Sequence, residues 1–197
     1  MQDMNSQAAV KIAYLILAHR YPHQLLRLIE RLDDANVCFF VHIDKKVDKR
    51  AYDLLVHPIS HKPNVRFIKR YVCYWAGFGI AQATLQGIRE IVESGEDFDH
   101  IVLLSGQDYP IKPKSCIHSF FEKNKGVSFV NHKPFPHPEW VAENGGWDRV
   151  KMWHFVGQNT HRIYPSETIF KNKLPFLNRY WKKLYPYMPS LERKFPL

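Results

Sequence analysis

Two polar stretches, each placed at the end of an apolar run, hold the residues best suited to chemistry. Val37 to Ile43 ends in Asp44-Lys45-Lys46, and Ile101 to Leu104 ends in Ser105-Gly106-Gln107-Asp108-Tyr109-Pro110. Buried runs of this length read as strands of a mostly parallel sheet, and that from Ile101 to Leu104 reads as its middle strand, buried on both faces. Open α/β sheets bind ligands beyond the carboxyl ends of their strands, where an acid such as Asp44 accepts hydrogen bonds from a ribose or base. Lys45 and Lys46 can meet phosphate there as point charges. Asp108 occupies the matching position at the second edge. Both acids also have plainer readings: Asp44 and its lysines as a solvated loop, and Gly106, Asp108 and Pro110 as residues of a turn.

Several other nucleotide chemistries are disfavoured. The turn after the first apolar run, Ala18-His19-Arg20-Tyr21-Pro22, has no glycine, so backbone cannot wrap a pyrophosphate as in a dinucleotide site, and there is no P-loop. The triplet Asp97-Phe98-Asp99 resembles a metal-holding acid pair but precedes its strand. About five residues at roughly 3.3 Å each would put it some 17 Å from the ligand-binding edge. Eleven histidines show no metal-ligand spacing, and no serine or cysteine stands in a nucleophile elbow. Tryptophans in predicted loops, Trp75 among them, suit stacking on a base or sugar ring.

Alternating elements must position these groups. Val10–Ala18 reads as a strand, and Pro22 opens a helix with Leu25, Leu26, Ile29 and Leu32 on one face. Val37–Ile43 is a strand, followed by a helix from about Asp48 to His57 and a short strand Val65–Ile68. An aromatic stretch, Tyr71 to Phe78, leads into a helix through Ile80, Ala83, Leu85, Ile88, Ile91 and Val92 that stops at Ser94-Gly95. After the Ile101–Leu104 strand come a helix near Ser115–Lys125 and a strand Val127–Val130. Crossover connections of this kind imply a parallel sheet. The expected organisation is a flexible head at residues 1–9, a ligand-binding α/β domain at 10–130, and a loop-rich, aromatic and basic region at 131–197. The end at Leu197 looks unfinished, as in a fragment of a longer protein.

The chain has 197 residues and a formal net charge of +9. From Arg162 onward eight lysines and arginines face two glutamates, which favours anionic partners. The longest apolar run, Ile12 to Ala18, is too short for a membrane span, and the first ten residues lack a secretory pattern. Cys38, Cys73 and Cys116 are read as buried thiols of a reducing compartment. The expected location is cytoplasmic, with possible peripheral membrane contact through the basic carboxyl-terminal region. The competing reading is a basic module binding RNA or an anionic membrane surface, with Tyr180, Trp181, Tyr185 and Tyr187 stacking on bases; the leading expectation has no nucleic-acid partner.

Four segments taken in order, Ala13 to His19, Val41 to Lys46, Tyr74 to Gly77 and Leu104 to Lys112, resemble the core-2/I-branching β-1,6-N-acetylglucosaminyltransferase and peptide O-xylosyltransferase family, glycosyltransferase family 14. The resemblance implies a GT-A type, Rossmann-like fold, a UDP-sugar donor, a glycan or glycoconjugate acceptor, and inversion without a required metal. GlcNAc transfer of the β-1,6 branching type is the first expectation, and xylosyl transfer from UDP-xylose the alternative. By position, Leu17, Ala18, His19 and Asp44 would contact uridine with Lys45 and Lys46 beside them. Cys73, Tyr74 and Trp75 would line the pocket, Asp108 would lie near the donor, and Arg149 would meet the acceptor. The family's catalytic glutamate and its diphosphate-neutralising bases have no match before Leu197.

Overall fold

A computed structural model describes residues 9–75, 77–134, 136–147, 152–157 and 160–165. The chain divides into two compact units, Met1–Ser128 and Phe129–Leu197.

The first unit is built on a four-stranded, wholly parallel sheet in the order β3-β2-β1-β4. Its strands are β1 (Ile12–Ala18), β2 (Val37–Ile43), β3 (Val65–Phe67) and β4 (His100–Ser105); its helices are α1 (Pro22–Leu32), α2 (Lys49–Val56), α3 (Gly79–Glu93) and α4 (Lys114–Lys123). Strands β1 and β2 are apolar at almost every position because both of their faces are covered. Their even-numbered β1 residues Ile12, Tyr14 and Ile16 pack with Leu25, Leu28 and Ile29 of α1 and Leu55 of α2. The odd-numbered Ala13 and Leu15 face the other way, towards Ile91 of α3 and Ile68. Period-two alternation in the strand thus meets helical spacing on each side.

The chain first winds outward from β1 to β2 to β3, then returns through α3 to place β4 on the opposite side of β1. That reversal makes the carboxyl edge between β1 and β4 a topological switch point, where the connections diverge and leave a crevice. Register aligns the edge: Leu17 pairs with His42 on one side and Ser105 on the other. Glycines allow the close packing around it. A Cβ on Gly87 would lie 2.8 Å from Leu15 Cδ2, and one on Gly106 would lie 2.8 Å from the Ala18 Cβ.

Three expectations need correction. Strand β4 is not the middle of the sheet: among the described residues it pairs with β1 alone, and Leu103 is 52% exposed. Its unbroken apolar run looks like a strand covered on both faces, but only one of its edges has a neighbour. Val127–Val130 is not assigned as a strand, and its apolar side chains are exposed. The cysteines are not all buried: Cys38 is, Cys73 is half-buried, and Cys116 is exposed on α4. Helix α3 forms as expected, with Ala83, Gly87 and Ile91 on its buried face. The triplet Asp97 to Asp99 lies at the amino edge of β4, where Asp99 Oδ2 accepts the Lys11 N–H at 2.8 Å.

In the second unit a 3-10 helix (Val141–Gly146) precedes an antiparallel hairpin of β5 (Met152–Gly157) and β6 (Thr160–Pro165). The hairpin was hidden by its aromatic and basic composition, which blurs the alternation that marks a strand. Among the described residues no helix is long and apolar enough to cross a membrane.

Candidate functional site

The Asp44 backbone leaves the sheet at the end of β2 and turns at once, tied by its N–H to the Ala18 carbonyl at 2.9 Å. The residue is 5% exposed, and its side chain is used by its own loop. Its Oδ1 accepts the Lys46 N–H at 2.9 Å and the Cys73 N–H at 3.4 Å, while Oδ2 faces the Lys46 ammonium at 3.3 Å. An ionised carboxylate has about four acceptor positions. Among the described residues three are occupied, which leaves room for one incoming N–H or hydroxyl. Lys46 also donates to the Cys73 carbonyl and lies 4.7 Å from the Tyr74 ring centroid.

These contacts draw the Tyr71–Trp75 segment over the edge of the sheet and close one side of a recess of about 560 Å³. That volume is ordinary for a small-molecule site. Leu17, Ala18, His19, Asp44, Lys46, Cys73 and Trp75 line it, joined by His42, Ile80, Leu103, Leu104 and Ser105. The lining therefore combines aliphatic side chains with one carboxylate, one ammonium and two imidazoles among the described residues. Trp75, 83% exposed, stands at the rim. Burial lowers the His19 pKa first, with the Arg20 and Lys46 charges adding to this against Asp44. Burial likewise lowers His42, despite the Asp44 carboxylate. The Cys73 thiol is pushed up to about 11 by burial and then by Asp44, so it remains protonated and is no nucleophile at neutral pH.

Three expected residues are not in the lining. Lys45 is exposed and contributes its backbone N–H to the Tyr71 carbonyl at 2.9 Å. Tyr74 carries Lys46 on its ring. Asp108 turns back on its own loop, its Oδ2 accepting the Ser105 N–H at 2.8 Å, so it shapes the loop next to lining residue Ser105. Arg149 and the basic stretch beyond Pro165 lie outside the described residues. Among the described residues no group of three or more histidines, cysteines or acids could hold a metal ion.

His42, Ile80, Leu103, Leu104 and Ser105 were missed by reading motifs. Parallel register would have found two of them, since His42 and Ser105 are the residues opposite Leu17. Arg70 was missed as well, and it has no sequence signal beyond its place after β3. Its guanidinium binds the carbonyls of Ile43, Asp44 and Val47 at 3.0, 2.9 and 3.1 Å.

An acid after β2, a lysine beside it, a tryptophan at the rim and several aliphatic side chains thus share one recess at the switch point of the sheet. The model of the Core-2/I-Branching enzyme family matches residues 12–173. The chain belongs to this family of glycosyltransferases. Its sheet and flanking helices are the α/β arrangement of a GT-A-like domain. The chain is 27% identical over 147 residues to xylosyltransferase 2 of Rattus norvegicus, covering 73% of this chain and 17% of that protein. It is 30% identical over 123 residues to xylosyltransferase oxt of Drosophila melanogaster, covering 61% and 14%. To xylosyltransferase 2 of Homo sapiens it is 27% identical over 139 residues, covering 69% and 16%. The chain thus spans about a sixth of the length of these curated relatives.

Proposed function

We propose that the recess binds a UDP-sugar and that the chain serves a glycosyl transfer, with UDP-xylose as the leading donor. The observation that carries this reading is the convergence of Leu17, Asp44, Lys46 and Trp75 on one recess at the switch point of a glycosyltransferase-family sheet. The uracil would stack towards Trp75 and the aliphatic side chains, the free acceptor position of Asp44 would take an N–H or a ribose hydroxyl, and Lys46 would face the phosphates. In an inverting transfer the acceptor hydroxyl attacks the anomeric carbon as the UDP oxygen leaves. A base must take the hydroxyl proton, and positive charge must stabilise the departing diphosphate. Lys46 is the described recess residue suited to the second task.

The preference for xylose rests on the relatives, several of which are named xylosyltransferases. GlcNAc transfer of the branching type, the first expectation from sequence, is the second reading and rests on the family's name. Metal independence is part of the proposal: Asp44 is the single carboxylate of the lining and is already bound to Lys46 and two backbone N–H groups. The test is a thermal-shift panel of UDP, UDP-xylose, UDP-GlcNAc and GDP-mannose, with and without EDTA. A ligand at about a hundred times its Kd adds about 2.7 kcal/mol to stability. The expected result is a shift with uridine nucleotides, largest with UDP-xylose and insensitive to EDTA. Equal shifts with GDP-mannose, or none with any UDP compound, would overturn it.

A further inference from the structure

We propose that Arg70 and His42 are positioning residues that together latch the Arg70–Trp75 segment onto the end of β2, and that the latch closes only while His42 is neutral. The segment carries Cys73 and Trp75, so its placement sets one wall of the recess. Two adjacent residues make the attachment. Arg70 inserts its guanidinium among the carbonyls of Ile43, Asp44 and Val47 and lies 4.4 Å from the Tyr52 ring centroid. Tyr71 donates its backbone N–H to His42 Nε2 at 2.9 Å, with the two rings stacked at 6.5 Å. The Lys45 N–H to Tyr71 carbonyl bond and the Cys73 N–H to Asp44 bond extend the same seam.

The chemistry of each anchor is restrictive. A planar guanidinium offers several donors in a fixed fork and reaches three carbonyls at once, which an ammonium cannot do with the same geometry. A backbone N–H is only a donor, so His42 Nε2 must be the acceptor nitrogen and its proton must sit on Nδ1. Protonating the imidazole would set N–H against N–H in a site where His42 is 1% exposed. The charged groups around it are Asp44 and Arg70 on the loop side, Lys69 over the stacked Tyr71 ring and Glu90 from α3; His19, Lys46 and the Cys73 thiol share the recess. Burial is the largest influence and lowers the pKa; Asp44 and Glu90 favour the imidazolium, and burial together with Arg70 outweighs them. The neutral state is thus favoured above 6.5, the ordinary histidine value, and the latch opens as pH falls below it towards the lowered pKa.

The link from latch to ligand rests on the reading of the recess as a nucleotide site, and the test separates the two. Amide hydrogen exchange of residues 70–75 and UDP affinity are each measured between about pH 5 and pH 8, where a histidine switch operates. The proteins compared are the wild type, His42→Gln, whose amide oxygen can accept the Tyr71 N–H without titrating, and Arg70→Lys. In the wild type, exchange corrected for its intrinsic pH dependence should accelerate and UDP affinity fall roughly tenfold or more towards the acid end. His42→Gln should lose most of that pH dependence, whatever its affinity at pH 8. Arg70→Lys should expose residues 70–75 at every pH and weaken UDP binding roughly tenfold. A purely structural role would lower the melting temperature of His42→Gln but leave its pH profile like the wild type's, and that result would overturn the proposal. So would wild-type protection of the segment in Arg70→Lys. If Arg70→Lys does not fold, the His42→Gln profile decides alone. If the wild type binds no UDP, the nucleotide reading fails and the exchange data still decide the latch.

Discussion

Asp44 and Cys73, separated by 29 residues of chain, are joined by a hydrogen bond from the Cys73 N–H to the Asp44 Oδ1 at 3.4 Å. The bond connects the end of β2 to the segment that carries Trp75, so one carboxylate both builds the recess and faces into it. Asp44→Ala should abolish the thermal shift caused by UDP. Asp44→Asn keeps one acceptor oxygen but loses the ion pair with Lys46, and should retain a weakened shift. Thermal denaturation with and without UDP reads both outcomes, and an unchanged shift in Asp44→Ala would count against the site.

Gly79 begins α3 directly under the same segment. A Cβ there would be driven into the Val72 carbonyl oxygen, which is backbone and cannot rotate away. Gly79→Ala should therefore displace residues 72–75, costing about 1–3 kcal/mol of stability as overpacking does, and should weaken UDP binding as well. Chemical denaturation and calorimetry of this variant check the two effects together.

Trp75 stands at the rim with little to pack against. Trp75→Ala should leave stability within about 0.5 kcal/mol, as surface changes do, but remove a stacking platform worth on the order of 1–3 kcal/mol per base. Addition of UDP to the wild type should change tryptophan fluorescence, and the change should be reduced in the variant.

The Tyr14 hydroxyl is buried without a hydrogen-bond partner among the described residues, while its ring stacks on Phe39 at 5.7 Å. Burial, then the Asp34 charge, pushes its pKa up to about 12 from 10.0. Because the folded state holds the proton more tightly, this group's contribution is intact below pH 10 and is lost as pH rises from there towards 12. Tyr14→Phe removes an unsatisfied group and should be neutral or stabilising by up to about 1 kcal/mol at pH 7. It should also lack that component of alkaline destabilisation, which denaturation at two pH values measures.

The sequence made the buried strands legible because β1 and β2 are covered on both faces, leaving runs such as Val37–Ile43 with almost no polar interruption. Asp44 and Lys46 could be read for the same reason, as the first polar residues after such a run. The strand order could not be read, and this is why β4 passed for a central strand: an unbroken apolar run gives neither the number of hydrogen-bonding neighbours nor, at Ile101 and Leu103, the burial that it suggests. At Asp108 the sequence left two readings open, because an acid serving a loop's own N–H has the same sequence context as one facing a ligand. Arg70 was invisible because its three partners are backbone carbonyls, which leave no mark on residue identity.

Titrating UDP into isotope-labelled protein and following backbone amide shifts tests the central claim most directly. The account predicts saturable perturbations concentrated at Leu17, Ala18, His42, Asp44, Cys73 and Trp75. Perturbations absent at millimolar UDP, or centred on α4 and the amino edge of the sheet, would contradict it.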